Sequence, residues 1–262
     1  MCVTNSAKSL CCKLVDNVPI NGEIFRLDFA WPGPVTKAGQ FFMIKPKRSS
    51  VFLGRPLSAA GWHSASGSVK FLVARRGRGT EELADMRIGE EAELIGPLGN
   101  EWADFLPKGE KPTALVGGGI GIAPLEALVK ETQNNDFHFY AGFRTGFKDD
   151  TERNAMLDSV SQNARQLVIA TEDGSTGKKG MIVDFLDAAE YRAVLACGPQ
   201  PMLKAVKAKC ETANVPCFLS LERRMACGVG ACLGCTVSTI NGNRRCCADG
   251  PIFNARELVF DE

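Results

Sequence analysis

The sequence predicts a β + α/β fold: an all-β barrel or sandwich, then a parallel-sheet α/β unit, then a small cysteine-bearing unit. Three observations predict it. Up to about residue 103, short runs rich in branched and aromatic residues recur between Pro, Gly and Asn. Beyond residue 113 the period changes, and short apolar strands alternate with helical stretches, as in parallel βαβ units. Finally, Cys227, Cys232 and Cys235 stand as C-x4-C-x2-C, with a fourth thiol at Cys246 or Cys247.

In the first unit the strands fall at residues 10–15, 23–29, 40–46, 69–75 and 91–95. Two groups there carry charge logic. Arg55-Pro56-Leu57-Ser58 sets a guanidinium before a stiff turn and a hydroxyl, suited to a bidentate phosphate contact and to a heteroaromatic nitrogen. Gly77-Arg78-Gly79-Thr80 leads into a helix with Thr80 as its N-cap and acidic residues in its first turn, a start that can cradle a pyrophosphate. Alone, each pattern also fits an ordinary turn or hairpin tip.

The second unit opens with a buried-type strand at 113–116. A glycine run, Gly117 to Gly121, then leads into a helix over 124–131 with Pro124 at its first position. The run departs from the dinucleotide fingerprint, because Pro124 stands where the third glycine belongs. It reads as a tight strand-to-helix turn able to hold a phosphate. Further strands are predicted at 137–142, 166–171 and 192–197, with helices at 153–160 and 181–189. The last strand ends in Cys197-Gly198-Pro199, at the carboxyl edge where open α/β sheets bind ligands.

The cysteine spacing is the plant-type pattern for a 2Fe–2S cluster held by four thiolates. Gly228, Gly230, Ala231 and Gly234 let the backbone wrap closely and aim N–H groups at sulfur. Four thiolates also suit zinc, but zinc favours two separate C-x2-C knuckles over three cysteines in one loop. Cys246 and Cys247 are adjacent, so only one can face the cluster, and spacing does not choose between them.

Composition sets the remaining bounds. The 262 residues suffice for two compact domains and a small one. With 31 Lys plus Arg against 30 Asp plus Glu, no net field draws the chain to nucleic acid or a membrane surface. No secretory signal is legible, and the apolar stretch over 113–129 is too broken by Gly and Pro to span a bilayer. Eleven cysteines in such a chain read as reduced thiols of a cytoplasmic protein, four of them ligands. The only histidines, His63 and His138, sit in no evident constellation, and no side chain is expected to act as a catalytic base or nucleophile.

The succession RPLS, GRGT, VGGGIGIAPL and CGPQPM resembles the ferredoxin reductase superfamily. The tail, SLERRMACGVGACLGC with CADGPIF, more narrowly resembles electron-transfer subunits of NAD-dependent dihydroorotate dehydrogenases. The resemblance implies an antiparallel flavin barrel (1–106), an NAD-binding domain (107–212) and a 2Fe–2S domain (213–262). It implies that Arg55 meets the FAD pyrophosphate, that Ser58 lies near the isoalloxazine N5, and that Pro56 and Leu57 complete that motif. Leu57 replaces the superfamily's tyrosine. By the same resemblance Val73 and Ala74 line the flavin by backbone, Gly79 and Thr80 form the diphosphate turn, and Gly118, Gly119, Gly121, Cys197, Gly198 and Pro199 face the nicotinamide nucleotide. The C-x-D-G-P ending selects Cys247 as fourth ligand. The implied partner is an FMN-containing catalytic subunit that oxidises dihydroorotate. Reductase subunits serving other partners, such as a sulfite reductase or hydrogenase, share most of these motifs, and a zinc-stabilised interaction protein is the non-redox alternative.

Overall fold

A computed structural model of the chain describes residues 7–132 and 136–260; Cys2 and the first residues inspected for a secretory signal lie outside the described residues. The first unit comprises β1 (Lys8–Pro19), β2 (Ile24–Ala30), β3 (Phe41–Pro46), β4 (Arg55–His63), β5 (Ser68–Ala74), the short helix α1 (Arg78–Ala84) and β6 (Glu91–Leu98). The six strands close into an antiparallel barrel in the order β1-β2-β5-β4-β3-β6. Alternation sorts the side chains of β5. Val69, Phe71 and Val73 join the barrel core, whereas Lys70, Leu72 and Ala74 share the opposite, outward face. Phe42 packs edge-on against Trp31 and Phe71 inside the barrel.

The second unit runs through β7 (Thr113–Gly118), α2 (Ala123–Glu131), β8 (Phe137–Phe143), α3 (Asp150–Asn163), β9 (Gln166–Thr171), β10 (Lys178–Lys179), β11 (Ala193–Cys197), α4 (Gln200–Thr212) and β12 (Cys217–Ser220). It is followed by the hairpin β13 (Thr236–Thr239) and β14 (Gly242–Arg245), the turn of helix α5 (Cys246–Asp249) and β15 (Ile252–Asn254). The large sheet has the order β10-β9-β8-β7-β11-β12-β15, parallel throughout except for antiparallel β15 at its edge. The order reverses between β7 and β11, so a crevice opens beyond their carboxyl ends. Residues 221–251, the cysteine-bearing segment, leave the sheet at β12 and return to it at β15.

The two units share a core. Ala38, Ala60 and Leu72 from the barrel pack with Ile122, Ala123 and Ala127 from the start of α2. The barrel also grips the last strand, because Asn100 donates to the Ile252 carbonyl at 2.8 Å and accepts from its amide at 3.0 Å.

Several local expectations are corrected. Arg55-Pro56-Leu57-Ser58 is not a turn but the start of β4, where Pro56 pairs with Met43 of β3. Thr80 is not an N-cap: α1 begins at Arg78 with Gly77 capping, and the Thr80 hydroxyl reaches back to accept the amides of Arg76 (2.9 Å) and Gly77 (3.2 Å). Pro124 occupies the second rather than the first position of α2. The helix expected over 181–189 is two short 3₁₀ turns, Ile182–Phe185 and Ala188–Glu190, the second started by the Asp187 carboxylate accepting from Ala189 N. The strands β4, β10 and β12 to β15 and the helices α4 and α5 are further elements that the sequence expectations do not contain.

Candidate functional site

The barrel and the sheet face each other across a cavity of about 660 Å³. At its barrel end stand Arg55, Pro56, Leu57 and Ser58 from β4, Ala74 from β5, and Arg76 and Thr80. Their convergence follows from adjacent strands: β4 pairs with β5, and the chain leaves β5 directly into α1. Gly79 is buried beneath the Arg55 guanidinium, and a Cβ there would lie 2.1 Å from its Nε. Only glycine lets the guanidinium lie flat on this turn, which fits a planar donor held ready for a diphosphate. Val73 turns its side chain into the barrel core rather than toward the cavity.

At the sheet end the walls are Ile120, Gly121, Ala123, Pro124 and Cys197, at the reversal between β7 and β11. Gly121 passes so near β11 that a Cβ would sit 2.4 Å from the Cys197 carbonyl oxygen. Gly119 adopts φ 56° with nothing within 4 Å of its would-be Cβ, leaving room for a ligand to approach the backbone. Gly118 is instead a packing glycine, set against Met202 and Pro199, while Gly198 and Pro199 line a smaller adjoining cleft. Burial pushes the Cys197 thiol up to about 12; the Glu222 carboxylate adds to this and a hydrogen bond with Ser220 opposes it. It is therefore a neutral thiol at the crevice, unfit as a nucleophile.

The third wall was missed in the sequence. Ser220, Leu221, Glu222, Arg223, Arg224 and Met225 run along the cavity from β12 toward Cys227. The Glu222 side chain opens onto the cavity, and desolvation by the surrounding walls raises its carboxyl. Neither histidine lines this cavity. His138 joins a hydrogen-bonded chain away from the cavity, with Nδ1 3.2 Å from the Tyr191 hydroxyl and that hydroxyl 2.6 Å from that of Tyr140.

Cys227 neighbours Cys232, and Cys235 neighbours Cys247. Burial raises the Cys227 thiol, but amides of Cys232, Val229 and Ala231 and the Cys232 thiol outweigh it and hold it down at about 6. Gly230 donates its amide to the Cys247 sulfur at 3.1 Å, and the Cys247 amide lies 3.4 Å from the Cys235 sulfur. Positive φ at Gly228 (70°), Gly230 (81°) and Leu233 (60°) lets the loop curl so that these amides converge. Among the described residues no group of three or more His, Cys, Asp or Glu is placed to hold a metal ion. Four thiols on one glycine-rich loop and the following turn, with amides already donating to sulfur, are a donor set that would suit a 2Fe–2S cluster.

Cys246 points elsewhere: its Sγ donates to the Leu221 carbonyl at 3.2 Å, and burial raises its thiol. Asp249, the acidic residue of the C-x-D-G-P ending, is a supporting residue, and Arg245, which the sequence reading did not single out, is its partner. Asp249 accepts from the Arg245 backbone (2.7 Å) and guanidinium (3.0 and 3.1 Å), and Arg245 in turn donates to the Gly230 carbonyl at 3.3 Å. This chain of bonds fastens the cysteine loop to the turn carrying Cys247.

Residues 222–259 match the family model of the iron–sulfur cluster binding domain of dihydroorotate dehydrogenase B. The chain is 37% identical over 250 residues to the dihydroorotate dehydrogenase B (NAD(+)) electron transfer subunit of Clostridium acetobutylicum, covering 95% of this chain and 97% of the relative. The counterpart from Clostridium perfringens is 39% identical over 248 residues, with the same coverage. Among solved structures, the NADH-dependent reduced ferredoxin-NADP oxidoreductase superposes with a TM-score of 0.81 at 27% identity, covering 96% of this chain and 91% of that one. No helix among the described residues is long and apolar enough to cross a membrane.

Proposed function

The chain belongs to the family of dihydroorotate dehydrogenase B electron-transfer subunits, and from that premise we infer that it conducts electrons between a separate catalytic subunit and NAD+. The catalytic subunit, an FMN protein, oxidises dihydroorotate to orotate in pyrimidine biosynthesis; this chain is the NAD-linked oxidoreductase subunit that disposes of the electrons. FAD, when bound, joins the two-electron hydride chemistry of a nicotinamide to the one-electron chemistry of a 2Fe–2S cluster.

The observation that carries this reading is continuity of wall and thiols. Met225, which lines the cavity, precedes Cys227 by two residues, and Pro251, on the same wall, follows Cys247 by four. Two residues span at most about 7 Å, so the flavin cavity and the cysteine centre are near neighbours by construction. In this reading Cys227, Cys232, Cys235 and Cys247 hold the cluster. Arg55, Arg76 and Thr80 hold the FAD diphosphate end, and Ser58 stands on the same strand nearer the ring. The crevice between Gly118–Gly121 and Cys197–Pro199 takes the nicotinamide nucleotide. The residues orient, shield and donate hydrogen bonds, and none is placed as a base for substrate deprotonation. We assign the chain to the cytoplasm, where its eleven cysteines stay reduced.

Two outcomes test this. The chain on its own should oxidise NADH with an artificial acceptor yet leave dihydroorotate untouched until its partner is added. Dihydroorotate oxidation by the purified chain alone would overturn the assignment.

Nucleotide choice follows from the segment after β9. Asp173 is occupied locally, its carboxylate accepting the Ser175 amide (3.0 Å) and hydroxyl (2.5 Å), while Ser175 accepts Gly146 N at 2.7 Å. That leaves exposed Glu172 to accept a ribose hydroxyl and repel a 2′-phosphate, against exposed Arg144 beyond β8. We expect kcat/KM to favour NADH over NADPH by about tenfold, equivalent to roughly 1.4 kcal/mol. Steady-state kinetics with both nucleotides check it, and a higher value for NADPH reverses the assignment.

A further inference from the structure

The contact between barrel and sheet is mainly apolar, but charged side chains are buried at it: Glu152 of α3 accepts from Asn21 at 2.7 Å, and a lysine–carboxylate pair lies against α2. Lys70 of β5 donates to Glu126 of α2 at 2.9 Å, with both side chains less than a tenth exposed. Lys130, one turn along α2, reaches the same carboxylate oxygen at 3.2 Å. Burial lowers the Lys70 ammonium while Glu126 opposes that shift. Desolvating such ions is costly and apolar replacements often serve stability equally well, so stability alone does not explain the pair.

Its position does. Lys70 shares the outward face of β5 with Leu72 and Ala74, both of which line the cavity. Glu126 lies one turn beyond Ala123 and Pro124, which line the opposing wall. Ala60 and Leu72 of the barrel share one apolar cluster with Ile122, Ala123 and Ala127, and apolar contact of that kind carries no directional constraint of its own. A directional, charge-assisted bond in an apolar surrounding fixes the relative position of its two partners more narrowly than apolar contact does.

We propose that Lys70 and Glu126 are positioning residues for hydride transfer, holding the flavin wall and the nicotinamide wall at one fixed separation. The inference rests on the reading that the cavity holds FAD and a nicotinamide together. The step concerned is the passage of a hydride, two electrons and one proton, between NADH and FAD: NADH leaves as NAD+ and the flavin is reduced.

The test is anaerobic stopped-flow reduction of the full-length, FAD-loaded chain by NADH, with flavin content, melting temperature and the flavin–nicotinamide charge-transfer absorbance recorded in parallel. Glu126→Gln should keep its FAD and its half-saturating NADH concentration, while the limiting rate falls about 10- to 100-fold and the charge-transfer band weakens, as expected for a displacement near 1 Å. A Lys70→Met/Glu126→Met double variant removes both charges, so it should melt near the wild type yet remain slow. Glu131→Gln is the control. It loosens a different bridge, Ala38 N to Glu131 at 2.9 Å, at the far end of α2, and its rate should stay within about twofold of wild type. A double variant as fast as wild type would show the pair to be merely structural. A Glu131→Gln rate as slow as Glu126→Gln would reduce the effect to general loosening. Either result overturns the inference. If NADH fails to reduce the wild-type flavin, the cavity reading itself falls, and this inference falls with it.

Discussion

Cys247→Ser is expected to empty the iron–sulfur centre, whereas Cys246→Ser, one residue away, leaves it filled. The two thiols face opposite ways from the start of α5. The Cys247 sulfur stands beside Cys235 and accepts the Gly230 amide at 3.1 Å, whereas the Cys246 sulfur donates to the Leu221 carbonyl at 3.2 Å. A hydroxyl is a poor substitute for thiolate toward iron, so loss of one of four ligands should remove nearly all iron and visible cluster absorbance. At position 246 a serine can still donate to Leu221, and the cost is that of one altered buried hydrogen bond, about 1 kcal/mol. Iron analysis and the visible spectrum of both variants decide it. A filled centre in Cys247→Ser together with an empty one in Cys246→Ser would reverse the assignment.

Gly79→Ala should weaken FAD binding without unfolding the chain. The new methyl would lie 2.1 Å from Arg55 Nε and 2.8 Å from its Nη2, so the guanidinium must swing off the turn. What moves is the end of a flexible side chain, and Gly79 lies inside α1, where alanine is favoured over glycine by about 1 kcal/mol. The melting temperature of the apoprotein should therefore hold or rise. Removing a charge-assisted contact to a phosphate costs about 1.5–3 kcal/mol, roughly a 10- to 100-fold loss of FAD affinity. Flavin titration by fluorescence measures it, and an unchanged dissociation constant would refute the role given to Arg55.

What the sequence made legible was local. The cysteine loop declares itself because close wrapping demands glycine between fixed ligands, and β9, at Gln166–Thr171, falls on its predicted bounds. What stayed hidden depends on partners far along the chain. Arg55-Pro56 carries a turn signal, yet pairing with Met43 and Ile44 makes it strand. The segment Ser220–Met225 has no period and mixes charges with apolar residues, so nothing local says that it faces a cleft. Likewise β15 is only three residues long, and its identity as a strand comes wholly from its pairing with β12. The Lys70–Glu126 bond joins residues 56 apart, and neither residue has a neighbour that marks it as buried.

Ser220 and Ile252 are opposite each other on one antiparallel rung, so the metal-bearing segment begins and ends at the same place in the sheet. It is thus an insertion between two strands and not a tail appended to a finished domain. Joining those two ends needs no more than a tight hairpin connection. Bypassing residues 221–251 would therefore leave the order of the strands in the sheet unchanged. The insertion is nevertheless fitted to this barrel, because Cys235, Cys246 and Cys247 share a core with Phe41, Met43 and Leu98.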